Sequence, residues 1–178
     1  MFRRCIGRWR SGRKLCNIIG VDFAGRNLKK LLSQFFTSLT KHKGRRTVGC
    51  LTGEPDLIDK TKRRIIDIKS SWSLDTFPAT KEAAHDSGYE WQVRAYMMLW
   101  PDEVDSAEVA HCMVSTPDEF IGNEPDSLHI VDQINPMLRV TRCQYTRCTE
   151  KEALIRIKLE SAQTYFDQVL DAIANDHA

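Results

Sequence analysis

The apolar residues of this chain recur with two different spacings. Between Asn27 and Leu39, Leu28, Leu31, Leu32, Phe35, Phe36 and Leu39 return every three or four positions, which places them on one face of an α-helix. Lys41-His42-Lys43-Gly44-Arg45-Arg46 follows, with the glycine and cations that suit a helix C-terminus. Two short apolar runs come next, one within Thr47 to Ile58 and one from Arg64 to Ser71. Asp59-Lys60-Thr61-Lys62-Arg63 between them reads as a hairpin turn. Trp72 to Gly88 is a long connection holding Pro78, with room for a short helical turn. Tyr89 to Trp100 predicts a second helix that Pro101 stops. Val109 to Val114 and Met137 to Tyr145 predict strands, and Thr149 to Ala174 predicts a long final helix. Thr149 and Glu152 have the spacing of a capping box at its start.

That order implies an α/β domain with one mixed β-sheet flanked by helices. Residues 1–26 mix Arg, Gly and Trp without a period and are expected to form a loosely ordered basic segment ahead of a domain over residues 27–178. No apolar run reaches the 18 residues of a membrane span, and the basic start has no apolar segment of a secretory signal behind it. The expectation is a cytoplasmic protein without membrane contact. None of the six cysteines (Cys5, Cys16, Cys50, Cys112, Cys143, Cys148) forms a C-x-x-C pair, so reduced thiols are expected.

The net charge of +2 hides a strong asymmetry. Residues 1–64 carry 17 Lys/Arg against 4 Asp/Glu, and residues 65–178 carry 9 against 20. One end of the molecule is therefore suited to a polyanion, although a solvated basic tail has the same composition.

Arg64-Ile65-Ile66-Asp67-Ile68-Lys69-Ser70-Ser71 is an apolar strand interrupted by an acid and a lysine. Side chains alternate along a strand, so Asp67, Lys69 and Ser71 share one face, and Ile66 and Ile68 share the other, the expected core face. A charge pair in so apolar a strand is costly unless it is paired or functional. The turn brings Gly53-Glu54-Pro55-Asp56 back alongside, with Asp56 expected to end the preceding strand near Asp67. Two adjacent carboxylates repel unless a cation lies between them, and such oxygen ligands suit Mg²⁺ or Mn²⁺. The alternative is a buried Asp67–Lys69 ion pair with Asp56 as a turn residue.

Three blocks together resemble the PD-(D/E)xK nuclease superfamily, in its RecB-like and phage-type exonuclease branch: Gly53-Glu54-Pro55-Asp56, Asp67-Ile68-Lys69, and Gln92 with Tyr96 in a Q-x-x-x-Y spacing. The likeness covers about residues 47 to 118 well, and the closing strand and helix match the general layout more loosely. It implies a restriction-endonuclease-like core and a metal-dependent deoxyribonuclease. It also implies a metal held by Asp56, Asp67 and the carbonyl of Ile68, with Lys69 assisting the attacking water and Gln92 beside the site. The metal would be Mg²⁺, with Mn²⁺ able to substitute. Gln92 and Tyr96, one helical turn apart, equally suit a helix-to-sheet hydrogen bond and a packed aromatic. DNA contacts are expected from Lys60, Lys62, Arg63 and Arg64 on the basic hairpin, and from Ser70 and Tyr96. Exonuclease action, a role in phage-type recombination, repair or genome processing, a single-strand annealing or recombination protein as partner, and a homo-oligomer all follow from the resemblance. A nicking or junction-resolving endonuclease and an inactive DNA-binding module are the alternatives. The chain departs from the family in one respect: no glutamate precedes Glu54, so the metal-site residue of the first helix has no counterpart unless His42 supplies it. Cys143 and Cys148 do not make the tight C-terminal cysteine trio of an iron–sulfur cluster, so none is expected.

Overall fold

The computed structural model describes residues 30–36 and 44–176. The expected basic segment 1–26, both ends of the first predicted helix and His42 lie outside the described residues. Four strands form the main sheet: β3 (Leu57–Asp59), β4 (Arg64–Ser70), β5 (Ser106–Cys112) and β6 (Val140–Thr146), in that spatial order. β3 and β4 are antiparallel, β4 and β5 parallel, and β5 and β6 antiparallel. A separate antiparallel ribbon pairs β1 (Arg46–Val48) with β2 (Leu51–Gly53). The sheet is the mixed, helix-flanked α/β core that the sequence predicts.

Parallel neighbours need a crossover, and residues 71–105 supply it. This segment contains a 3₁₀ turn (Leu74–Thr76), the short helix α1 (Lys81–Ala84) and the main crossover helix α2 (Ser87–Leu99). Asp86 starts α2: its Oδ1 accepts from the backbone of Gly88 at 2.6 Å and Tyr89 at 3.2 Å. The helix therefore begins two residues before the apolar pattern does. Pro117 and Pro125 precede two four-residue helices, α3 (Asp118–Ile121) and α4 (Asp126–His129), too short to leave a periodic signal. The chain ends in α5 (Thr149–Asp176).

β4 is buried on both faces, which corrects the expectation of a core on the Ile66 side alone. On one face Ile65 joins Val93, Tyr96, Met97, Leu99 and Trp100 of the α2 region, with Ala107 and Val109 of β5. On the other, Ile66 packs with Leu31, Leu32, Phe36, Ala110 and Cys112. A parallel pair at the centre of a sheet is covered on both sides, so its strands read as nearly continuous apolar runs.

The start of α5 is held by charge. Arg147 grips Glu152 through Nε and Nη2 at 2.8 and 2.9 Å, and this pairing holds the Glu152 carboxyl below its ordinary range. Glu152 is thus taken by an arginine outside the helix, and the predicted Thr149–Glu152 capping box does not form. Further along α5, Leu154, Ile157, Tyr165 and Ile173 are more than half exposed.

The Phe36 face also contains a buried charge cluster. Glu108 is fully buried, and its Oε2 accepts from Arg64 Nη1 at 2.8 Å, from Arg142 Nη2 at 2.7 Å and from Gln144 Nε2 at 3.2 Å. Arg142 Nε donates to the other oxygen. Both guanidiniums also lie over the Phe36 ring, at 5.6 and 5.1 Å. One carboxylate therefore ties β4, β5 and β6 together. Glu108→Leu should strand two arginines in low dielectric and destabilise the fold by about 3–5 kcal/mol, measured as a lower urea midpoint.

Candidate active site

The backbone register brings the three sequence blocks to one place. Leu57 pairs with Ile66, so the next step of the antiparallel ladder sets Asp56, just ahead of β3, beside Asp67. Asp56 thus opens the hairpin strand, where the sequence reading had it close the preceding one. Its Oδ2 accepts from the Ile68 backbone N–H at 2.8 Å, which aims the carboxylate at β4. Asp67 is 3% exposed, and its Oδ2 lies 2.6 Å from Lys69 Nζ. That contact is an ion pair rather than a directed hydrogen bond, and Asp67 Oδ2 has no hydrogen-bond partner among the described residues.

Lys69 is 7% exposed and held from three sides. Besides Asp67, Nζ donates to Gln92 Oε1 at 3.1 Å and sits 4.4 Å from the centre of the Tyr89 ring. Gln92 Nε2 in turn donates to the Tyr96 hydroxyl at 2.8 Å. The i, i+4 spacing of Gln92 and Tyr96 therefore forms a relay from the core to the lysine. The Tyr96 ring is wedged against Gly53 of β2: a Cβ there would lie 2.5 Å from Tyr96 Cε1 and 2.9 Å from Leu99 Cδ1. The glycine of the first block thus lets β2 approach α2 closely enough for Tyr96 to fix Gln92.

The remaining predicted residues are placed differently. The turn bearing Lys60, Lys62 and Arg63 lies at the other end of β4 from Lys69, roughly 16 Å away at about 3.3 Å per residue. Lys60 and Lys62 are exposed. Arg63 is paired with Asp105 at 2.5 Å and donates to the Asp102 carbonyl at 3.0 Å. Arg64 is buried in the Glu108 cluster and Tyr96 is buried in the core, so neither side chain faces solvent. Ser70 ends β4 on the Ile66 face, half-buried. Trp72 packs edge-on against His129, with ring centres 5.5 Å apart.

The sequence reading missed His111. It sits opposite Lys69 in the parallel register, on the same face of the sheet, with its ring 5.8 Å from that of Tyr89. It is 8% exposed and its Nε2 has no hydrogen-bond partner among the described residues. Burial lowers its pKa, and nearby Lys69 acts in the same direction. A polar residue in the apolar strand Val109–Val114 was the available signal, but its alignment with Lys69 is set only by strand pairing.

The donor set fits a hard divalent cation. Two carboxylates in register, one with a buried oxygen lacking a hydrogen bond, lie on either side of the Ile68 backbone. Mg²⁺ is commonly held by one or two carboxylates, with water and substrate phosphate completing its shell. Among the described residues no group of three or more His, Cys, Asp or Glu converges as a metal site. The described residues would therefore supply only part of the coordination.

The sequence matches no protein-family model and no curated protein. Among solved structures, the chain is similar to a phage-related exonuclease from Haemophilus somnus 129PT. The TM-score is 0.79 and the sequence identity 26%, over 94% of this chain and 77% of that one. The match supports a phage-type exonuclease family and a nuclease-like function. No helix among the described residues is long and apolar enough to cross a membrane.

Gly53→Ala should force the Tyr96 ring away from β2. Overpacking of this kind costs about 1–3 kcal/mol, so the thermal midpoint should fall. Tyr96→Phe, which keeps the ring and removes the Gln92 contact, should cost only about 1 kcal/mol.

Proposed function

We propose that the chain is a divalent-metal-dependent nuclease that hydrolyses DNA phosphodiester bonds, acting as an exonuclease. The observation that carries this reading is the buried Asp67–Lys69 pair with Asp56 beside it, on a strand where Ile65, Ile66 and Ile68 flank the charges. Burial of such a pair costs several kcal/mol per ion, and the fold uses Gln92, Tyr89 and Tyr96 to hold the lysine there. Asp56, Asp67 and the Ile68 carbonyl would hold Mg²⁺, with Mn²⁺ able to replace it. The bound cation would lower the pKa of a water and neutralise charge on the scissile phosphate.

This chain's residues then have distinct tasks. Asp56 and Asp67 supply negative charge at the end of the β3–β4 hairpin away from the turn. Lys69 presents an ammonium to the attacking water or to a phosphoryl oxygen, and Gln92 fixes its direction. Tyr89 covers the lysine and limits water around it. The resemblance of the three blocks to the phage-type branch, and the exonuclease found as structural neighbour, favour attack from DNA ends. Lys60 and Lys62 are proposed to meet phosphates some distance from the point of cleavage, since their turn lies at the far end of β4.

A second reading has one observation in its favour. Two carboxylates, not three, converge among the described residues, as in a DNA-binding module that does not hydrolyse. Calorimetric titration with Mg²⁺ separates the two, because such a module has no need of the cation.

Linear and covalently closed circular DNA, each incubated with Mg²⁺, Mn²⁺ or EDTA, test the main reading. Degradation of linear DNA alone, abolished by EDTA, is expected, and loss of the closed circle would identify an endonuclease. Lys69→Ala should remove cleavage while the protein remains folded and still binds DNA. Asp67→Asn should weaken Mg²⁺ binding in calorimetry. Cleavage by Lys69→Ala at the parental rate would sink the mechanism.

Lys60→Gln with Lys62→Gln should weaken binding of unrelated DNA sequences alike and lower the salt slope of log K by about 0.9 per lost contact on duplex DNA. An unchanged slope would show a solvated turn.

A further inference from the structure

We propose that His111 is a positioning residue for Lys69: its Nε2 takes a hydrogen bond from the lysine ammonium when Asp67 is engaged elsewhere. The inference rests on the nuclease reading for its purpose, but its geometry does not.

As the site stands, Asp67 and Lys69 are paired with each other at 2.6 Å. A divalent ion at the Asp67 carboxylate would weaken its hold on Lys69, because the ion draws on the same negative charge and repels the ammonium. Lys69 must then turn to other acceptors, and it is buried away from bulk water. A lysine ammonium has three donors. Gln92 Oε1 takes one at 3.1 Å, and the Tyr89 ring provides only a π-face at 4.4 Å. A buried acceptor is available on β5, where His111 stands opposite Lys69 in the ladder and its Nε2 has no hydrogen-bond partner among the described residues.

The chemistry of His111 suits that task. The Ala84 backbone favours a ring N–H, and Nε2 is the nitrogen without a partner. With its proton on Nδ1, a neutral imidazole would keep a lone pair on Nε2 for the ammonium. A lone pair buried without a donor costs free energy of the kind usually recovered by a partner. Asp86 and Asp67 also bear electrostatically on the ring, as does Lys69. The Tyr89 ring lies beside both His111 and Lys69, at 5.8 and 4.4 Å.

Two experiments decide the matter. The first needs neither metal nor DNA. Asp67→Asn removes the charge that holds Lys69, so the ¹⁵N resonance of His111 Nε2 should shift upfield as it accepts a hydrogen bond. The same shift should be absent when Lys69→Ala is added. A resonance that does not move on Asp67→Asn, or that moves equally without Lys69, overturns the proposal. The second measures DNA cleavage. His111→Phe keeps the ring volume and removes the acceptor, and misplacement of a catalytic group by about 1 Å can cost roughly 100-fold. The turnover rate at saturating DNA should fall by that order, with the KM for DNA and the Mg²⁺ affinity unchanged. His111→Gln, whose amide oxygen can replace Nε2, should recover most of the rate. A glutamine variant no better than phenylalanine, or a phenylalanine variant as fast as the parent, overturns the proposal. A parent protein that cleaves no DNA would instead overturn the nuclease reading, and the resonance experiment would still judge the Lys69–His111 contact.

Discussion

The structure around the site depends on one costly arrangement, a carboxylate and an ammonium buried two residues apart in the central strand. Water would otherwise solvate both charges, and removing it costs more than the pair alone returns unless further hydrogen bonds complete the site. The fold supplies them from one direction. Gln92 reaches Lys69 from α2, Tyr96 holds Gln92, and Gly53 leaves the space in which Tyr96 can do so. The Ile68 backbone, between the two charges, fixes Asp56. Removing any of these contacts would leave a buried charge with fewer partners, so strand, ribbon and helix are coupled through the same few atoms.

The opposite face of the sheet handles buried charge differently. Glu108 is surrounded by Arg64, Arg142 and Gln144, and both guanidiniums are stacked over Phe36. Its two carboxylate oxygens are both occupied by donors. Asp67 Oδ2 lies beside Lys69 and has no directed hydrogen bond among the described residues.

Likeness to the Haemophilus somnus phage-related exonuclease extends over 94% of this chain. The motif resemblance is good over residues 47 to 118 and looser in the closing strand and helix, and the structural likeness takes in β6 and α5 as well. β6 contributes Arg142 and Gln144 to the Glu108 cluster, which fixes the position of β5 and, with it, of His111.

Much of this was legible in the residues themselves. Helical spacing marked α2, the Lys60–Lys62 turn separated β3 from β4, and alternation put Asp67 and Lys69 on one face, because those patterns are local consequences of backbone geometry. The short helices after Pro117 and Pro125 left no period, and Glu152 chose Arg147 over a capping role because a cation lay within reach. Arg63, Arg64 and Tyr96 read as candidates for DNA, yet Asp105, Glu108 and the core claim them in the fold. The basic turn adjoins the site in sequence but lies at the far end of β4 in space, since a strand carries its two ends apart. The sequence by itself determined which residues are candidates for the chemistry. Only the tertiary structure decided which of them meet, because the pairing of β4 with β5 sets His111 opposite Lys69 across 42 positions of chain, and no local pattern encodes that register.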